Sequence, residues 1–181
     1  NENNLHYFKW LMQWRRTEDA GLTWQAMSEA AKKKNRLYAD YVHFLVREKE
    51  IQNARFIWRK YTGLAGMTNP GFEKELSRKG LGWVSWRAKK PSWEIRRDSS
   101  MAREGRYALN ITFRGTENVN FYHLWQIVPV VSEQEYSLVY WWKSSHLTTD
   151  QRPFIDVCGY DCKSQHWQSQ MISADRDWHK A

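Results

Sequence analysis

Apolar residues recur at every third or fourth position through the first third of the chain, and at every second position in short runs through the remainder. In residues 36–63, RLYADYVHFLVREKEIQNARFIWRKYTG, one stripe is formed by Tyr38, Tyr41, Val42 and Leu45. A second is formed by Ile51, Ala54, Ile57, Trp58 and Tyr61. The spacing predicts two amphipathic helices joined by a tight turn, with Gly63 as the C-terminal cap. Residues 1–34 laid over 35–68 pair Tyr7 with Tyr41, Leu11 with Leu45, Ala20 with Ala54 and Trp24 with Trp58. Phe8 over Val42, Trp10 over Phe44 and Met27 over Tyr61 fall in the same frame. A period of thirty-four residues is that of a helix-turn-helix repeat.

The period changes at Asn69-Pro70-Gly71, which is turn chemistry. Strand-like runs follow at 93–97, 107–115, 120–131, 136–145, 153–160 and 168–173, each bounded by Gly, Ser, Asn, Asp or Pro. In YALNITFRG, Leu109, Ile111 and Phe113 alternate with Asn110, Thr112 and Arg114, as in a strand with one buried and one wetter face. The expected fold class is therefore two-part α+β: α-helical hairpins over residues 1–66, then an antiparallel β-sandwich or barrel over 67–181.

The first part resembles the tetratricopeptide repeat, with Ala20 and Ala54 as the small residue near the start of each second helix. Val42 stands where that family has Gly or Ala, and Gly66 where a terminal Pro is common. Repeats of this kind need about three units to bury a shared core, so the resemblance implies the end of a longer array that grips a protein partner. The second part, with NPGFE, GWVSW, REGRYALNITF, WQIVPVVSEQEYSLVYWWKSS and DWHKA in that order, resembles the galactose-binding-like jelly rolls that include many carbohydrate-binding modules. A helical array running into such a domain is similar to bacterial tetratricopeptide-repeat proteins. The resemblance implies that NPGFE is the first strand of the jelly roll and that Glu73 supplies one oxygen to a structural calcium site. It also implies further strands after Trp178, so the sandwich is expected to lack its last strands.

The chain has 181 residues, a net charge of +8 and a mean hydropathy of −0.82, and no run approaches the twenty or so apolar residues of a membrane span. It starts at Asn1 with no signal-like segment and reads as a fragment. The basic excess favours acidic partners. Lys74, Arg78, Lys79, Arg87, Lys89, Lys90, Arg96 and Arg97, interleaved with Trp83, Trp86 and Trp93, suit either nucleic acid or an acidic polysaccharide. Fold analogy favours the saccharide over nucleic acid.

Twelve tryptophans exceed what a core of this size needs. Trp141 and Trp142 are adjacent, so in a strand their side chains point to opposite faces. If Leu138, Tyr140 and Trp142 point inward, Trp141 and Lys143 share the outer face. Phe121, His123, Trp125 and Ile127 share one face of their run; Tyr122, Leu124, Gln126 and Val128 share the other. Trp141 and Trp125 are thus candidate stacking rings for a sugar, with Lys143 and Gln126 supplying polar contacts; Gln126 is alternatively a satisfied interior amide.

Cys158 and Cys162 flank a turn and form either a disulfide, permitted in an extracytoplasmic compartment, or two reduced thiols. With His166 they make a Cys-x3-Cys-x3-His run, but zinc at that spacing calls for a helix where the context is β. Motifs of nucleophile-elbow hydrolases, zinc proteases, phosphate loops and dinucleotide sites are missing. The sequence reading is a non-catalytic, extracytoplasmic bacterial binding protein for carbohydrate and a protein partner. The alternatives are a structural assembly component or a glycan-active enzyme.

Overall fold

The computed structural model describes residues 2–85, 92–115, 117, 119–149, 151–160 and 166–181. Helices come first: α1 Glu2–Gln13, α2 Thr17–Ala26, the short α3 Glu29–Lys33, α4 Leu37–Arg47 and α5 Ile51–Thr62, with a 3-10 turn at Lys34–Arg36. Strands follow: β1 Val84–Ser85, β2 Trp93–Asp98, β3 Ala108–Phe113, β4 Leu124–Trp125, β5 Trp141–Ser144, β6 Asp156–Cys158, β7 His166–Gln168 and β8 Arg176–Lys180. The protein is mixed α+β, and among the described residues from Val84 onward all regular structure is antiparallel strand.

The thirty-four-residue frame holds in three dimensions. A shift of thirty-four lays α1 over α4 and α2 over α5. Even the turns repeat. The Arg16 N–H donates to Leu11 O at 2.9 Å, and the Glu50 N–H to Leu45 O at 2.8 Å. The residue before each, Arg15 or Lys49, is left-handed, with φ of 55° and 66°. Each first helix thus ends in the same double-bonded cap, built on a long cationic residue where glycine is usual. Ser28 starts α3 by accepting the Ala31 N–H, and Gly63 caps α5 at φ 73°.

The core lies between the hairpins. Phe8, Leu11, Ala20 and Trp24 of the first, and Val42, Leu45, Ala54 and Trp58 of the second, are all buried. Ala20 and Ala54 are fully covered, and the absence of a side chain beyond Cβ lets the two helices of each hairpin approach closely. Tyr41 seats between the hairpins, its ring 5.3 Å from Phe8 and 4.6 Å from Trp24.

The chain divides into two compact units, Asn1–Val130 and Val131–Ala181. Helix ends at Thr62 and strand begins at Val84, but the segment from 67 to 130 belongs to the helical unit. The physical reason is contact. Leu81 joins the helical core, and Ile127 packs against it. Thr68 Oγ1 accepts the Trp58 indole N–H at 3.2 Å. The Gln126 amide then grips the Thr68 backbone from both sides, accepting its N–H at 3.0 Å and donating to its carbonyl at 2.9 Å.

In the first unit β1 pairs with β4 and β2 with β3, the latter in the register Trp93↔Phe113 to Asp98↔Ala108. In the second unit β5 pairs with β8 and β6 with β7. These are four separate two-stranded ladders, and no closed sandwich is formed among the described residues. NPGFE is not a strand. Asn69, at φ 51°, donates from its amide to Lys74 O at 2.7 Å and accepts the Lys74 N–H at 3.0 Å, which folds the segment into a closed loop.

Candidate functional site

A groove of about 440 Å³ opens between the first helices of the two hairpins. On α1, Lys9, Met12 and Gln13 sit at helical spacing on one face; on α4, Asp40, His43, Phe44 and Arg47 do the same. The repeat frame places Lys9 opposite His43 and Gln13 opposite Arg47. Arg78 and Lys79, from the turn ahead of β1, close one end. Met12 and the buried Phe44 give the groove an apolar floor, while its rim carries four cations and one carboxylate.

The rim is held in place. Arg47 reaches across to α1, donating from Nη2 to Met12 O at 2.8 Å, and its guanidinium lies over the Phe44 ring. Its Nε donates to Glu48, which also receives Arg15 Nε at 2.9 Å. The hydrogen bond from Arg15, reinforced by Arg47, keeps the Glu48 carboxylate below its ordinary range. Lys79 pairs with Asp40 at 2.8 Å, so the lone carboxylate of the groove is already neutralised. What remains is a positive rim over an apolar floor, a chemistry that receives acidic chains carrying apolar side chains.

Comparison with known proteins finds no matching family model, curated protein or solved structure.

The residues singled out in the sequence fall in different places. Trp125 and Gln126 belong to the first unit, Trp141 and Lys143 to the second. Trp141 and Lys143 are the more exposed positions of β5, alternating with half-buried Trp142 and Ser144. Trp142 meets His179 edge-on at 5.5 Å, and Lys143 pairs with Asp177 at 3.0 Å. Trp125 is 38 % exposed and Trp141 40 % exposed. Phe121 and His123 turn toward Trp93, forming a cluster with Phe113 at ring separations of 4.5 to 5.4 Å. Gln126 is a half-buried amide, and both ends of its side chain are engaged by Thr68, as in the satisfied-amide reading.

Glu73, expected to supply one oxygen to a calcium site, is hydrogen-bonded within the chain. Its oxygens accept the Arg106 N–H at 3.0 and 3.2 Å and the Tyr107 N–H at 3.2 Å. Beside it, Arg97 donates to the Glu73 carbonyl at 2.8 Å and lies 4.1 Å over the Tyr107 ring. Two backbone N–H groups thus engage the carboxylate, while the Arg97 guanidinium pairs with Glu75 at 2.8 Å. A Cβ on Gly105 would fall 2.3 Å from Glu73 Oε1, so that glycine, at φ +69°, is what admits the side chain. Among the described residues no group of three or more acids, histidines or cysteines could hold a metal.

Cys158 is an exposed free thiol at the end of β6; its expected partner Cys162 lies outside the described residues. A hairpin, rather than a helix, sets Cys158 opposite His166, and His166 Nε2 lies 2.5 Å from Asp156 Oδ1. Of the basic group, Arg87, Lys89 and Lys90 also lie outside the described residues. Lys79, Arg96 and Arg97 each pair with an acid: Asp40, Asp98 and Glu75. No helix among the described residues is long and apolar enough to cross a membrane.

The groove itself was missed in the sequence. Its residues are ordinary one by one and lie as far as seventy positions apart. The signal that could have found it was the repeat frame, which already set Lys9 over His43.

Proposed function

We propose that the protein is a non-catalytic binding protein whose helical hairpins hold a partner protein and whose strand-rich portion recognises carbohydrate. The observation that carries the first half is the groove between α1 and α4, with its positive rim, apolar floor and braced walls. It suits an acidic segment with an apolar anchor. The carbohydrate half rests on the partial exposure of Trp125 and Trp141 and on the resemblance to galactose-binding-like jelly rolls. The bacterial, extracytoplasmic setting rests on the same resemblance.

The first half is tested by calorimetric titration with a short acidic peptide carrying one aromatic residue, against a Lys/Arg peptide of equal length. The acidic peptide should bind, more weakly at high salt. Lys9→Glu and Arg78→Glu should each weaken it on the order of tenfold, about 1.4 kcal/mol, at unchanged melting temperature. Equal binding of both peptides, or indifference to the charge reversals, would reject the groove. For the second half, a glycan array carrying neutral and acidic polysaccharides gives the answer directly. A structural assembly role without sugar binding is the second reading, favoured by the aromatic face left uncovered on α1.

A further inference from the structure

A second recess, of about 290 Å³, is walled by Leu76 and Ile95 and carries Glu75, Arg78, Arg96 and Arg97. Arg78 lines both this recess and the groove, so the two adjoin. Arg97 is fixed in place. Its Nη1 donates to the Glu73 carbonyl at 2.8 Å, and its guanidinium lies 4.1 Å over the Tyr107 ring. The edge of a guanidinium formed by Nε and Nη2 is the one that a carboxylate engages with both oxygens at once. In Arg97 that edge is half used. Glu75 Oε1 lies 2.8 Å from Nη2, whereas Nε is buried and has no hydrogen-bond partner. The Arg97 side chain is 16 % exposed and that of Glu75 87 % exposed, so the acid holding the edge is the mobile, solvated member of the pair.

We infer that this recess is a carboxylate subsite continuing the groove, in which an acidic side chain of the partner segment displaces Glu75 and takes both Nε and Nη2 of Arg97. The inference rests on the acidic-segment reading of the groove. A peptide is the occupant because Arg78 joins the recess to the groove: one segment sets its apolar anchor on Met12 and Phe44 and passes Arg78 to reach Arg97. Leu76 and Ile95 flank the aliphatic stem of the incoming side chain. Glu75 is then a stand-in that covers the guanidinium in the free protein and returns to water when the partner arrives. Arg96 keeps its own acid, Asp98, at 3.1 Å, which leaves Arg78 and Arg97 to receive the ligand's charge.

The test uses the short acidic aromatic peptide, the same peptide lengthened by a run of glutamates at each end in turn, and tetraglutamate alone. Calorimetry gives the affinities. The NMR signal of the Arg97 Nε–H group, assigned by its loss in Arg97→Lys, reports on the recess itself. One lengthened peptide should bind the native chain on the order of tenfold tighter than the short one. Arg97→Lys, which keeps the charge but not the fork, should remove that gain and leave the affinity of the short peptide unchanged. Glu75→Gln should tighten the lengthened peptide about threefold or more, with the short peptide and the melting temperature unaffected. Tetraglutamate should move the Arg97 signal, and at lower concentration in Glu75→Gln. An Arg97 signal that neither the lengthened peptides nor tetraglutamate moves would overturn the inference. So would equal tightening of short and lengthened peptides by Glu75→Gln, which is a general charge effect. Polygalacturonate moving the signal where the peptides do not would also overturn it, because the recess would then belong to a saccharide. Failure of the short peptide to bind rejects the groove alone, and the tetraglutamate response then decides the recess separately.

Discussion

Replacing Gly80 by Ala should destabilise the helical unit far more than replacing Gly63 by Ala, although both glycines are left-handed. Gly63 has φ +73° and nothing within 4 Å of where a Cβ would lie, so its substitution costs only the backbone term, about 1 to 2 kcal/mol. Gly80 has φ +62°, and its added Cβ would fall 2.2 Å from Cζ3 and 2.8 Å from Cε3 of Trp58. That ring cannot swing away. It is 2 % exposed, and its indole N–H is bonded to Thr68. Overpacking of about 1 to 3 kcal/mol therefore adds to the backbone cost, giving about 2 to 5 kcal/mol in all. For a domain of this size that is a fall in melting temperature of roughly 4 to 20 °C. Urea titration followed by far-ultraviolet circular dichroism, with the slope held in common, measures both variants on one scale. Equal losses for the two variants would mean that the turn at Gly80 does not press on Trp58.

Three further outcomes follow from the same contacts. The Glu29 carboxylate accepts from Lys60 at 3.0 Å and Tyr61 at 2.8 Å, which lower its pKa from 4.5 to about 2. The folded value lies below the unfolded one, so this stabilisation is complete above about pH 4.5 and is lost as pH falls toward 2. The melting temperature should accordingly drop more steeply over that window in the native chain than in Glu29→Gln; parallel curves would deny the link between α3 and α5. Gln126→Leu should cost about 2 kcal/mol by leaving the Thr68 backbone unpaired, without changing saccharide affinity. A loss of saccharide affinity at constant stability would return Gln126 to a binding platform. Trp141→Ala should weaken saccharide binding roughly tenfold and leave the melting temperature unchanged, whereas intact affinity with a loss of several kcal/mol would make that ring a core residue.

The helical half was legible because its information is doubled. Leu11 with Leu45 and Ala20 with Ala54 share one frame in the sequence, and the same pairs share one environment in the fold. Less visible were the turns, since nothing in Arg15 or Lys49 announces a left-handed cap that glycine would normally fill. The strand half was legible in type but not in extent. Alternation at Trp141, Trp142 and Lys143 matches the exposed and half-buried positions of β5. The runs at 120–131 and 136–145, however, form regular strand over only Leu124–Trp125 and Trp141–Ser144. NPGFE was expected as a strand from the resemblance alone, while its conformation is decided by hydrogen bonds between Asn69 and Lys74 and from Arg106 and Tyr107 to Glu73. Such bonds span up to thirty-four residues, beyond the reach of any local pattern. For the same reason Gln126 resembled a ligand contact until Thr68, fifty-eight residues away, was found on both ends of its amide.

The most direct test of the groove is a hydrogen-exchange footprint of the native chain with and without the acidic aromatic peptide at saturation. Protection should rise in α1 around Lys9–Gln13, in α4 around Asp40–Arg47 and in the Arg78–Lys79 turn, while α2 and the β2–β3 ladder stay unchanged. Peptide bound with no added protection at those three segments, or with protection centred elsewhere, would contradict the assignment of this groove as the binding site.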